Sequence, residues 1–157
     1  MAIEIGQKAP EFGLFNEAKK KVQLSDYLGK NIILHFFPQA FTGTCTTQLC
    51  TVRDDIGRYN TANAVVMGIS VDSVFTLAKY KEEQGLNFDL LSDFNKNVSA
   101  NYDTLYANWI LEMEGVSKRS AFIIDKEGVI QYAEVLESAG DLPNFEAINN
   151  KLAQLND

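Results

Sequence analysis

Two cysteines and one histidine are the whole supply of thiols and imidazoles in this 157-residue chain. Two thiols are too few for a disulfide-stapled scaffold. A structural zinc site takes four ligands, usually Cys and His, and three are present, so neither metal nor cofactor is expected. No apolar run approaches the ~18 residues of a membrane span, so no membrane partner is expected. "MAIEIGQKAPEF" lacks the basic start and continuous apolar stretch of a signal peptide. Basic residues are in deficit, 14 Lys and Arg against 21 Asp and Glu, and a net charge of -7 argues against nucleic acid as a partner. The densest basic run, Lys19 to Lys21, reads as a solvated turn. Repeats, low-complexity tracts and linkers are missing. The expectation is one domain over residues 1–157, long enough to bury a substantial core, in the reducing cytoplasm. Paired thiols in that compartment are more often catalytic, redox-active or metal-binding than structural.

What is there is an alternation of strands and helices. "EFGLFNEAKKKVQLSDY" predicts a hairpin around a Lys-rich turn. "NIILHFF" predicts a buried strand by its continuous apolar character, with His35 as a core or strand-face histidine. Residues 45–60 predict a helix, with Cys45, Leu49, Val52, Ile56 and Tyr59 on one stripe and Thr42 or Thr44 capping its start. A second buried strand (64–72), an amphipathic helix capped by Ser73, a short strand in "NFDLLSD" and a short helix over 95–102 follow. "SAFIIDKEGVIQYAEVL" predicts a second hairpin, and "DLPNFEAINNKLAQL" a closing helix. This order implies an α/β protein with a mixed sheet covered by helices on both faces. A βαβ start and a ββα close form the pattern of the thioredoxin fold, here with an N-terminal β-hairpin extension. Sites in open sheets of this kind form beyond the carboxyl ends of the strands.

The stretch "HFFPQAFTGTCTTQLC" (35–50) sits at such an end and carries both cysteines. A cysteine in the first turn of a helix meets unpaired backbone N–H groups and the positive end of the helix dipole. Both favour the thiolate, the nucleophilic form, and a nearby arginine would favour it further. The bland alternative is that Cys45 is a small buried hydrophobe of the apolar stripe. Cys50 lies beside Arg53 and Asp54, about 100° round from Leu49, and is expected to be partly exposed. Cα atoms five residues apart in a regular helix lie ~8 Å or more from each other. A disulfide needs them within ~7 Å. Cys50 is therefore either a bystander or the partner in a change of shape on oxidation.

"FFPQAFTGTCTTQLCTVRD" resembles the active-site segment of the peroxiredoxins, the cysteine-based peroxidases. Their pattern of Pro, three residues, Thr, two residues and Cys falls on Pro38, Thr42 and Cys45. "CTTQLCTVRD" is similar to the bacterioferritin-comigratory (peroxiredoxin Q) branch, and "FPQAFTGTC" to the alkyl hydroperoxide reductase E branch. The first branch usually has Pro-Gly where this chain has Gly43 and Thr44. Further likeness runs through "GQKAPEFGL", "GISVDS", "LLSD" and "GVSKRSAFIIDKEGVI", the last placing the family's arginine at Arg119.

The resemblance implies that the Cys45 thiolate attacks a hydroperoxide and becomes a sulfenic acid. Donors for the leaving oxygen would be the helix-start N–H groups, the Thr42 hydroxyl and the Arg119 guanidinium. Pro38, rigid and without an N–H, would shield the sulfur. Gln48 is expected to hydrogen-bond near Arg119 or the loop. Trp109, Phe36 and Phe37 are read as core, and Phe41 as a pocket wall. By resemblance Cys50 resolves the sulfenic acid after local unwinding, giving an intramolecular disulfide that thioredoxin or a similar thiol reductant reduces. The alternatives are a one-cysteine peroxidase using an external thiol and a peroxide sensor without turnover. A thioredoxin-like reductase would need Cys-x-x-Cys, and a copper-delivery module Cys-x-x-x-Cys with a distant histidine. Neither pattern is present. Monomer and homodimer are both open.

Overall fold

Strand β3 (Asn31–Phe36) is buried at every position. Its side chains divide by the two-residue period of a strand. Ile33 joins one apolar cluster, and Ile32, Leu34 and Phe36 join another on the opposite face. A strand apolar on both faces belongs at the centre of a covered sheet, and β3 lies there. The computed structural model describes residues 3–156. Met1 and Ala2, the start of the segment expected to lack a leader, and Asp157 lie outside the described residues.

The other strands are β1 (Gly13–Asn16), β2 (Lys21–Gln23), β4 (Ala64–Ser70), β5 (Asp89–Ser92), β6 (Leu105–Tyr106), β7 (Val116–Ser117), β8 (Ser120–Ile124) and β9 (Ile130–Val135). Six of them join β3 in one sheet, in the order β2-β1-β5-β4-β3-β8-β9. The pairs β3–β4 and β4–β5 are parallel, and the remaining pairs are antiparallel. Helices α1 (Gly43–Asp54), α2 (Ile56–Thr61), α3 (Val74–Gln84) and α5 (Phe145–Leu155) contribute Leu49, Val52, Tyr59, Leu77, Tyr80, Ile148 and Leu152 to the cluster containing Ile33. Phe12, Leu24 and helix α4 (Asn97–Asn101), through Val98, cover the other face together with Tyr102. This is the thioredoxin fold with an N-terminal hairpin, as the order of elements implied.

Local signals placed most elements. Ser73 caps α3, its hydroxyl accepting from the Thr76 N–H at 3.2 Å. Gly85 ends that helix at φ +61°, the left-handed conformation glycine adopts without steric cost. One expectation is corrected. The helix expected over residues 45–60 begins at Gly43 and divides at Asp55, whose N–H bonds to Val52 O at 3.1 Å instead of continuing the i−4 ladder. The run Asp54-Asp55-Ile56-Gly57 supplies weak helix formers at the break. Strands β6 and β7, two residues each, form a separate ladder. Its span carries Trp109.

Candidate active site

Strand β3 ends beside β4, and the loop to α1 is pinned from β4 and α3. Phe37 N–H donates to Ile69 O at 3.0 Å. Pro38 follows, buried. The Ala40 N–H donates to Asp72 Oδ2 at 2.8 Å, and the Ser70 hydroxyl donates to the same oxygen at 2.6 Å. Phe41 adopts φ +66°, a left-handed conformation costly for a bulky residue. Its ring lies against Tyr80, with centroids 4.9 Å apart. The Tyr80 and Thr46 hydroxyls hydrogen-bond at 2.8 Å. Burial, first, pushes the Tyr80 phenol up to about 12, so it is neutral at ordinary pH. One tyrosine of α3 thus fixes the chain on both sides of Cys45.

Cys45 is the third residue of α1 and is 1% exposed. The N–H groups of Gly43, Thr44 and Cys45 precede the first helical hydrogen bond, Thr46 N–H to Thr42 O at 3.0 Å. They concentrate the positive end of the helix dipole where the sulfur sits. The capping expectation is corrected here. Thr42 occupies the N-cap with extended backbone, but its hydroxyl accepts no helix N–H. It donates instead to Gln39 O at 2.7 Å. Thr44 lies inside the helix. The turn that holds Cys45 is therefore left uncapped.

Arg119 is 1% exposed. Its Nη1 donates to Gln48 Oε1 at 2.7 Å and its Nη2 to Ala139 O at 2.9 Å. Its Nε has no partner in the structure. Gln48 lies three residues beyond Cys45, so the two side chains are neighbours on one face of α1. A cleft of about 260 Å³ is lined by Thr42, Gly43, Thr44, Trp109, Arg119 and Gly140 among others. Larger grooves, of about 450 Å³ beside Phe12 and Asn97 and about 300 Å³ beside Asn60 and Asn87, include neither Arg119 nor the start of α1. The smaller cleft is therefore the candidate site. Arg119 is a buried cation whose hydrogen-bond partners are both neutral. Among the described residues no carboxylate pairs with it. An uncompensated buried charge is expensive, so the site is built to receive an anion.

Cys50 is half-buried, and both cysteines are free thiols. Its sulfur lies 3.8 Å from Gln84 Oε1. Arg53 Nη1 donates to Gln84 O at 2.6 Å, and Asn87 Nδ2 to Arg53 O at 3.2 Å. This end of α1 is tied to the end of α3.

The fold thus gathers Thr42 and Arg119 on one cleft, with Cys45 in the adjoining helix turn and Gln48 bonded to the arginine. Pro38 closes the strand behind them, and Cys50 stands apart, beyond Leu49. Trp109, expected in the core, is a wall of the cleft, while Phe41 packs on Tyr80 away from it. Phe36 and Phe37 are core. Sequence reasoning missed Asp72, Tyr80 and the Ala139 carbonyl. Each acts over more than 20 residues of separation or through the backbone, and no short motif marks them.

The AhpC/TSA family model matches residues 5–133. The chain is 42% identical over 130 residues to "Peroxiredoxin Bcp" of Bacillus subtilis, covering 82% of each. It is 38% identical over 142 residues to the chloroplastic 2-Cys peroxiredoxin BAS1 of Spinacia oleracea, covering 83% of this chain and 52% of that one. The chain therefore spans about half the length of that relative. Among solved structures, the peroxidoxin BcpB of Mycobacterium tuberculosis superposes with a TM-score of 0.82 at 27% identity, covering 98% of this chain and 96% of that one.

Proposed function

Because the chain belongs to the AhpC/TSA family and is an oxidoreductase of the peroxiredoxin type, we propose that it reduces hydroperoxides through the Cys45 thiolate. The observation that carries the reading is Arg119, a buried guanidinium bonded only to the neutral oxygens of Gln48 and Ala139. A thiolate at the uncapped start of α1 supplies the missing negative charge. In the reaction the sulfur attacks the terminal peroxide oxygen. An S–O bond forms and the O–O bond breaks. The leaving alkoxide or hydroxide takes a proton from water, and the sulfur, two electrons poorer, becomes a sulfenic acid. Arg119 and the Gly43 and Thr44 N–H groups are the donors for the developing charge. The Thr42 hydroxyl, expected by resemblance to donate to the leaving oxygen, has given its one hydrogen to Gln39 O and instead offers its oxygen as acceptor for the peroxide O–H. Pro38 shields the loop without adding a competing donor.

Cys50 then displaces water from the sulfenic acid, forming an intramolecular disulfide. A dithiol reductant of the thioredoxin kind, in the cytoplasm, restores both thiols. The regular helix opposes this step, since α1 runs unbroken through both cysteines and must unwind between them. Mass spectrometry after one equivalent of hydrogen peroxide tests the scheme. The expected product is a Cys45–Cys50 disulfide in the wild type and a Cys45 sulfenic acid in Cys50→Ser, formed equally fast. Sulfenic acid without disulfide in the wild type would assign the one-cysteine mode with an external thiol. Peroxide consumption sustained by thioredoxin and its reductase separates an enzyme from a sensor.

A further inference from the structure

The hydrogen bond from Arg119 to Gln48 does not end there. Gln48 is buried, and its Nε2 lies 3.0 Å from His35 Nδ1 and 3.5 Å from Phe36 O. His35 is fully buried on β3, opposite Ala121 of β8, with its ring 5.9 Å from that of Phe145 on α5. The direction of each bond is forced in turn. A guanidinium only donates, so Gln48 must present Oε1 to Arg119. Its amide nitrogen then faces His35 and can only donate. The Nδ1 of His35 must therefore be a bare lone pair, and the ring proton sits on Nε2. That Nε2 has no partner in the structure. The fold thus holds the imidazole in a tautomer that orphans its only N–H, an arrangement that costs free energy. Reversing the amide would face its NH₂ toward the guanidinium at hydrogen-bond distance, donor against donor.

We propose that His35 is a positioning residue for Arg119: its unprotonated Nδ1 locks the Gln48 carboxamide in the one orientation that accepts from the guanidinium. The lone pair on β3, the amide on α1 and the arginine before β8 form a one-way chain leading to the cleft. Without the acceptor, nothing on the far side of Gln48 distinguishes its two amide orientations except the weak contact to Phe36 O. Arg119 would then lose one of its two fixed partners. This inference rests on the reading of Arg119 as a donor at the peroxide site.

Two variants and the wild type test it. His35→Asn places an amide oxygen near the position of Nδ1 and keeps an acceptor. His35→Phe keeps an aromatic ring against Phe145 and removes the acceptor. Long-range ¹H–¹⁵N spectra of the wild type report the tautomer, and solvent exchange of the Arg119 side-chain N–H groups reports its order. Stopped-flow oxidation of Cys45 by hydrogen peroxide reports the chemistry. The expected results are an Nε2-protonated ring in the wild type, and slow Arg119 exchange in both the wild type and His35→Asn. In His35→Phe exchange becomes fast and oxidation slows about ten- to a hundredfold, as for other losses of fixed geometry. An Nδ1-protonated ring overturns the proposal. So does a His35→Phe protein with wild-type exchange and rate, or a His35→Asn protein as impaired as His35→Phe. If His35→Phe does not fold, the tautomer and the Asn variant still decide. A wild-type Cys45 no faster than a free thiol would overturn the peroxidase reading instead, and the spectra and exchange would still judge His35.

Discussion

The two ends of α1 carry one cysteine each and are held in opposite ways. The first two turns are fixed from several sides: Gln48 by Arg119 and His35, Thr46 by Tyr80, and the preceding loop by Asp72. The last turns are fixed at the surface by Arg53 and Asn87 against the end of α3, and the helix breaks at Asp55. A nucleophile must already be in place when its substrate arrives, which suits a buried mount held by several hydrogen bonds. A resolving thiol must travel, which suits a mount of few bonds open to water. The same helix is rigid where attack is proposed and releasable where resolution is proposed.

The contrast can be broken by experiment. Cys45→Ser removes the nucleophile and is expected to abolish peroxide consumption, a loss of roughly four orders of magnitude or more. Retained activity would move the chemistry to Cys50. Arg119→Met removes the buried cation, and oxidation of Cys45 should slow about 10²- to 10³-fold, the usual effect of losing one preorganised donor. Stopped-flow rates across peroxide concentrations give this number directly, and an unchanged rate would leave the buried charge unexplained.

Acid provides the third test of the rigid end. Burial lowers the His35 imidazole from 6.5 to about 4. The unfolded chain therefore binds a proton on His35 at a higher pH than the folded one. The stability this confers is complete above pH 6.5, is lost progressively as pH falls towards 4, and amounts to about 3 kcal/mol. Denaturant titrations from pH 7 to pH 4 should show this loss in the wild type and not in His35→Asn. Parallel curves for the two proteins would contradict the assignment.

The smallest effect is expected at the releasable end. Arg53→Ala removes the bond to Gln84 O, and disulfide formation should quicken a few-fold while the first oxidation is unchanged. The accompanying loss of stability should be small, as for a hydrogen bond at the surface. Slower resolution would mean that Arg53 guides Cys50 and does not restrain it.

Much of this was legible in the chain. The apolar run of β3, the cap at Ser73 and the Lys-Glu-Gly turn between β8 and β9 are local signals, and each element formed where its signal lay. The stripe from Cys45 to Tyr59 was read correctly as one buried face, although Asp55 breaks the helix beneath it. The peroxiredoxin resemblance singled out Thr42, Cys45 and Arg119 as candidates, and the expectation that Gln48 bonds near Arg119 or the loop is met at Arg119, at 2.7 Å. Thr42 as a side-chain cap failed because its hydroxyl is turned to the Gln39 carbonyl, and the loop path that puts that carbonyl within reach cannot be read from residue type. Trp109 looked like core because a lone tryptophan usually packs inside. Its place on the cleft wall depends on the short β6–β7 ladder, which carries almost no pattern.

The sequence by itself determined the order of strands and helices, the family, and the spacing that sets one cysteine at a helix start and the other five residues on. These are properties of neighbours along the chain, where hydrophobic period, turn chemistry and motif spacing act. Only the tertiary structure decided that Arg119 is buried without a carboxylate and that His35 stands behind Gln48. Those facts depend on three elements distant in sequence meeting across the sheet. The direction of each hydrogen bond there is set by which group can only donate, something no spacing along the chain encodes.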